Sequence, residues 1–89
     1  MAEVRKHIVF HGRVQGVGFR ITATRHALNL GLKGWVKNEY NGTVIMEVQG
    51  SEMLINKLLI ALNSERYIQI EWMDAKEIPL GNEKSFSYR

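Results

Sequence analysis

Residues 33–49, KGWVKNEYNGTVIMEVQ, are two extended runs set around Asn41-Gly42. Asn-Gly is the dipeptide best suited to supply the two positive φ angles of a tight hairpin turn. In the second run Val44, Met46 and Val48 fall on one face and Thr43, Ile45 and Glu47 on the other, the alternation of a strand with one buried side. A β-hairpin over 33–40 and 43–49 follows.

Before the hairpin, residues 21–31, ITATRHALNLG, read as a helix: Phe19, Ala23, Ala27 and Leu30 keep the helical period, and Gly31 is a fitting stop. Residues 12–20, GRVQGVGFR, place Gly12, Gly16 and Gly18 within seven positions, a loop that must bend sharply or approach something closely. Ahead of it, HIVFH at 7–11 puts Ile8 and Phe10 on one face of a strand. After the hairpin, Ser51 is placed to cap a second helix, with Glu52 in the first turn and Leu54, Leu58, Ala61 and Leu62 on one stripe. Ile55, Leu59 and Ile60 widen that stripe, which predicts a heavily buried helix. From Tyr67 onward Ile68, Ile70 and Trp72 alternate with Gln69 and Glu71, a strand with a bulge expected before Ile78; SFSYR at 85–89 suggests a short edge strand.

The order strand, helix, strand, strand, helix, strand is the ferredoxin-like βαββαβ arrangement, an α+β sandwich with two helices packed on one face of an antiparallel sheet. No linker, low-complexity tract or repeat beyond the βαβ duplication interrupts it, so residues 1–89 are expected to form a single domain. Hydrophobic residues make up 45% and charged residues 24%, the profile of a chain that folds. Without cysteine, the chain has no disulfide, thiolate chemistry or cysteine-held metal. MAEVRKHIVF lacks an apolar signal core and no run approaches the ~20 residues that cross a bilayer, so a cytoplasmic chain with no membrane association is expected.

Net charge is +3, unevenly spread: residues 4–38 hold Arg5, Lys6, Arg13, Arg20, Arg25, Lys33 and Lys37 and no acid, while five cations and nine acids occupy the rest. An uncompensated basic stretch suits a phosphate, a nucleic acid or an anionic surface. The glycine loop runs from a strand into a helix, where unpaired N–H groups and the positive end of the helix dipole make a ready anion site. Arg20 stands at that helix start, and a guanidinium grips phosphate through two parallel hydrogen bonds. The loop lacks the Gly-Lys-Ser/Thr ending of a nucleotide P-loop and the third glycine of the dinucleotide fingerprint.

GRVQGVGFR at 12–20 resembles the first signature of the acylphosphatase family, and GWVKN at 34–38 with Gly42-Thr43-Val44 and Gly50 resembles the second, in the same order and spacing. The resemblance implies an enzyme that hydrolyses the carboxyl–phosphate anhydride of acyl phosphates to carboxylate and inorganic phosphate, with no cofactor and no metal. It implies that the backbone of Gln15, Gly16, Val17, Gly18, Phe19 and Arg20 cradles the phosphate, that Arg20 anchors it, and that Asn38 orients the attacking water. Ile21-Thr22-Ala23 lack the aromatic common at that place in the family, a departure that bears on the acyl group and not on the phosphate site.

The chemistry is coherent with so few groups. The leaving carboxylate has a pKa near ~4 and needs no general acid at neutral pH. Phosphoryl transfer then asks mainly for positioning and charge stabilisation, which arginine and oriented amides supply. A loop without Asp or Glu avoids repelling the dianion, and Asn38 can accept a hydrogen bond from water. The water's proton can pass to the substrate phosphate.

Other residues read as structural. His7 and His11 lie four apart along a strand, ~13 Å, too far to share a metal ion; His26 sits within the first helix. Trp35 and Trp72 read as core or sheet-face packing. Gln15 takes a supporting role, and Thr43 is placed to support Asn38 across the hairpin. The alternative is a non-enzymatic anion- or RNA-binding module, since Lys33-Gly34-Trp35 resembles the start of an RNA-recognition octapeptide. That motif fails at Lys37 and Asn38 and falls on the second strand instead of the third, so no nucleic-acid partner is expected. A regulatory module fused to an enzyme is disfavoured for want of a linker, and a monomer is the default.

Overall fold

A computed structural model describes residues 2–89. The chain runs β1 (Val4–Arg13), α1 (Phe19–Asn29), β2 (Lys33–Asn38), β3 (Val44–Gly50), α2 (Glu52–Asn63), β4 (Gln69–Ile78) and β5 (Phe86–Tyr88). The strands form one sheet in the order β4-β1-β3-β2-β5. The first four pair antiparallel, as the sequence pattern requires. The sheet as a whole is mixed, because β5 lies parallel to β2, pairing Gly34 with Phe86 and Val36 with Tyr88. After β4 the chain crosses from one edge of the sheet to the other and enters β5 in the direction of β2.

One side of the sheet carries Ile8, Phe10, Val36, Val44, Met46, Val48 and Phe86, all buried, beneath Phe19, Ala23 and Ala27 of α1 and Ile55, Leu58 and Leu62 of α2. The alternation in β1 and β3 therefore selects the face that the helices cover. Helix α1 ends in a Schellman motif, with Leu32 N–H donating to Ala27 O at 2.9 Å and Gly31 N–H to Leu28 O at 3.1 Å. Helix α2 begins as expected, Ser51 Oγ accepting from Leu54 N–H at 3.3 Å. Its burial is narrower than the sequence suggests: Ile60 and Met53 face outward, 65% and 56% exposed. A single helix on a sheet buries only the side turned to it, and the apolar residues of α2 outnumber the positions on that side.

Two local expectations are corrected. The hairpin turn is three residues, Tyr40-Asn41-Gly42, with Gly42 N–H donating to Glu39 O at 3.2 Å and Glu39 N–H to Thr43 O at 2.9 Å. Only Gly42 has positive φ, 90°, so this is a type I turn closed by one left-handed glycine. The longer loop lets Asn41 Oδ1 accept from both the N–H and the hydroxyl of Thr43, at 3.1 and 2.7 Å. The bulge in β4 falls at Glu71, not before Ile78: His11 pairs with Trp72 and Gly12 with Ile70, which leaves Glu71 extra.

The open face of the sheet is polar and tied by Arg5, a buried guanidinium that donates to Glu47, Gln49 and Glu83. Gln49 Oε1 also accepts from Gly81 N–H at 2.8 Å, so Arg5 and Gln49 together pin the crossing segment to the sheet.

Candidate active site

Between β1 and α1 the loop makes two left-handed steps, Gly16 at φ 73° and Gly18 at φ 77°. Gly18 is the N-cap of α1 and offers no side-chain cap, so the first N–H groups of the helix are left for something outside it. No acid stands in that first turn. Val14 and Phe19 are buried on either side, and the Phe19 ring packs on Phe10 at 4.9 Å, which fixes the loop to the core. Val17 is half-buried and packs against the same core.

The loop, the start of α1 and the end of β2 enclose a small cup of about 120 Å³, lined by Gly16, Gly18, Phe19, Arg20 and Asn38 among others. That is the room of about four waters, or one tetrahedral oxyanion. It adjoins a wider groove of about 540 Å³ lined by Gln15, Arg20, Lys37, Asn38, Glu39, Tyr40 and Arg89. Arg20 and Asn38 line both spaces.

Each of these side chains is positioned by a named contact. Arg20 Nη1 donates to the main-chain oxygen of Arg89 at 2.6 Å, and its guanidinium lies 5.9 Å from the Tyr88 ring. Arg89 is itself held by its N–H on Val36 O at 2.8 Å, so β5 carries the arginine's partner to the site. Asn38 closes β2 opposite Val44, and the turn that follows it is tied to the loop by Gln15, whose Nε2 donates to Glu39 O at 2.7 Å and Thr43 O at 2.8 Å. Thr43 does not reach Asn38: its hydroxyl is spent on Asn41. Glu39, the carboxylate in the groove lining, pairs with Lys37 at 3.5 Å.

The structure thus brings Gln15, Gly16, Gly18, Phe19, Arg20 and Asn38 to one place, with Val17 as a core anchor. Glu39, Tyr40 and Arg89 also line it, and no motif marks them. Arg89 lies 69 residues from Arg20, and its part is played by a backbone atom that no residue type announces. The histidines are engaged elsewhere: His7 with Glu47 at 2.9 Å, His26 with Glu65 at 3.0 Å, and His11 stacked on Trp72 with centroids 3.5 Å apart. Trp72 is a sheet-face residue, 53% exposed, and half-buried Trp35 lies under the Arg89 guanidinium at 4.5 Å. Among the described residues no three His, Asp or Glu side chains gather as a metal site, and no helix is long and apolar enough to cross a membrane.

The family model described as Acylphosphatase matches residues 6–88. The chain belongs to the acylphosphatase family. It is 37% identical to an acylphosphatase of Ligilactobacillus salivarius over 82 residues, 90% of this chain and 91% of the relative, and 37% identical to one of Bifidobacterium longum over 86 residues, 96% and 89% of the two chains. The crystal structure of acylphosphatase from Bacillus subtilis superposes with a TM-score of 0.89 at 30% identity, covering 97% of this chain and 98% of that one. The ferredoxin-like acylphosphatase fold and the hydrolase reading stand together, and an acyl phosphate is the substrate class. The RNA-binding alternative has no comparable support.

Proposed function

We propose that Arg20 and Asn38 are the residues through which this acylphosphatase-family enzyme cleaves acyl phosphates, and that the cup holds the phosphate while the groove holds the acyl group. The observation that carries this reading is that the same two side chains line both spaces. The loop N–H groups from Gln15 to Arg20 and the start of α1 take the non-bridging phosphate oxygens. Arg20 keeps one nitrogen on Arg89 O and presents the rest of its fork to the anion. The Asn38 side-chain oxygen accepts from a water and directs a lone pair at phosphorus. The P–O bond to the acyl group breaks as the water's P–O bond forms. The acyl oxygen leaves as carboxylate, and the water's proton goes to a phosphate oxygen. Charge is met by donors already in place, and the carboxylate, with a pKa near ~4, leaves without a proton donor.

The same reading has the chain working as a single domain of residues 1–89, as a monomer in the cytoplasm, without a metal. The test is phosphate release from benzoyl phosphate with a chelator present. Chelator-resistant hydrolysis, inhibited competitively by orthophosphate, is expected; a folded protein that releases no phosphate above background overturns the reading.

A further inference from the structure

The groove beside the cup is rich in charged and polar side chains. Pockets for apolar groups are walled mostly by apolar side chains, yet six of the seven residues lining this one are polar or charged and Tyr40 supplies its single aromatic ring. Arg20 lines the cup as well as the groove, whereas Lys37 and Arg89 line the groove alone. They are near neighbours there, because Arg89 N–H bonds Val36 O and its guanidinium lies 4.5 Å over Trp35, on the same strand as Lys37 and two residues before it.

The two cations differ in readiness. The Arg89 guanidinium rests over Trp35, at the side of the groove, and among the described residues is held there by a cation–π contact alone. The Lys37 ammonium is 3.5 Å from Glu39, with the two side chains 43% and 38% exposed. An exposed pair of that kind contributes little, so the ammonium can turn to a better partner.

We propose that Lys37 and Arg89 select acyl phosphates whose acyl group carries a second negative charge, a carboxylate remote from the phosphate, over neutral acyl phosphates of the same shape. The inference rests on the assignment of cup and groove above. Against the one carboxylate of Glu39, the two cations leave the groove net positive, which steers such a substrate and holds its far end while Arg20 and the loop hold the other.

The experiment compares 4-carboxybenzoyl phosphate with its neutral isostere 4-carbamoylbenzoyl phosphate, each kcat/KM divided by the rate of uncatalysed hydrolysis in the same buffer. The ratio of carboxyl to carbamoyl substrate is expected to be about 10 at low ionic strength and to fall several-fold in 0.5 M salt. Lys37→Gln and Arg89→Gln each lower it about threefold. Lys37→Glu brings it below one and raises relative turnover of cationic 4-(aminomethyl)benzoyl phosphate, a reversal that damage to the fold does not produce. Lys57→Gln, on the exposed face of α2, leaves the ratio unchanged. A wild-type ratio near one, or a ratio that neither groove variant alters, overturns the inference while leaving the hydrolase reading intact. Failure to hydrolyse either substrate overturns both.

Discussion

Arg20 and Arg89 are joined by a hydrogen bond of 2.6 Å from a guanidinium nitrogen to a main-chain oxygen, and this bond reaches from the start of α1 to the edge strand of the sheet. A long side chain that would otherwise sample many rotamers is thereby held in one place, which suits the phosphate-anchoring role proposed for it. Removing residue 89 takes away this acceptor together with the N–H that holds β5 to Val36. Deletion of Arg89 is expected to lower kcat/KM for acetyl phosphate by at least about tenfold, several times more than Arg89→Ala, which keeps the backbone. Steady-state kinetics on the two proteins checks the order.

Gly18 bends where the glycine loop becomes helix. A Cβ there would meet only Thr22 Oγ1, at 4.0 Å, so the obstacle to a side chain is the φ of 77° and not space. Gly18→Ala should destabilise the protein by about 1–2 kcal/mol, the strain of a left-handed residue that is not glycine. Urea unfolding measures that loss, and weaker inhibition by orthophosphate reports a distorted cup.

Gln15 ties the loop to the turn after Asn38 through two main-chain oxygens. Gln15→Ala removes that donor from two carbonyls that each keep a backbone partner, and is expected to cost about 1 kcal/mol. Because the two halves of the site are then no longer locked together, kcat should fall as well. Gln15→Glu, which replaces the donor by an acceptor, should be the worse of the two in both measurements.

Acid should loosen the segment that crosses the open face. Hydrogen bonding from Arg5 holds the Glu83 carboxyl below its ordinary value; burial works against this and is outweighed. For Glu47 burial is the largest influence and pushes the carboxyl up, but hydrogen bonds from His7 and Arg5 together bring it below the usual range. Both pKa values are lower in the folded chain than in the unfolded one. The stability they confer is therefore fully present above the unfolded value, near ~4.3, and is lost as pH falls through the folded values. Urea midpoints taken from pH 6 down to pH 3 should decline, and Arg5→Met should flatten that decline while lowering the midpoint at pH 6.

Much of this was legible because burial follows period. Ile8, Phe10, Val44, Met46 and Val48 alternate in the sequence and are the residues under the helices. Phe19, Ala23 and Ala27 likewise fall on the buried side of α1, and the glycine pattern with Arg20 and Asn38 marked the cup. What escaped depends on relations that no local pattern encodes. The outward turn of Ile60 is set by how much of α2 the sheet can cover. The turn at Tyr40-Asn41-Gly42 is decided by the competing bonds of Asn41 to Thr43, which also take Thr43 away from Asn38. The parallel entry of β5, and with it the meeting of Arg89 with Arg20, depends on where a seven-residue crossing ends.

The most direct test separates the two roles at the shared boundary of cup and groove. Kinetics of benzoyl phosphate hydrolysis, with the inhibition constant of orthophosphate, should be measured for the intact protein, Arg20→Ala and Asn38→Ala, each shown to be folded. Both variants should lose on the order of 10²-fold or more in kcat; orthophosphate binding should be lost in Arg20→Ala and largely kept in Asn38→Ala. Undiminished turnover in either folded variant, or equal loss of orthophosphate binding in both, would contradict the assignment.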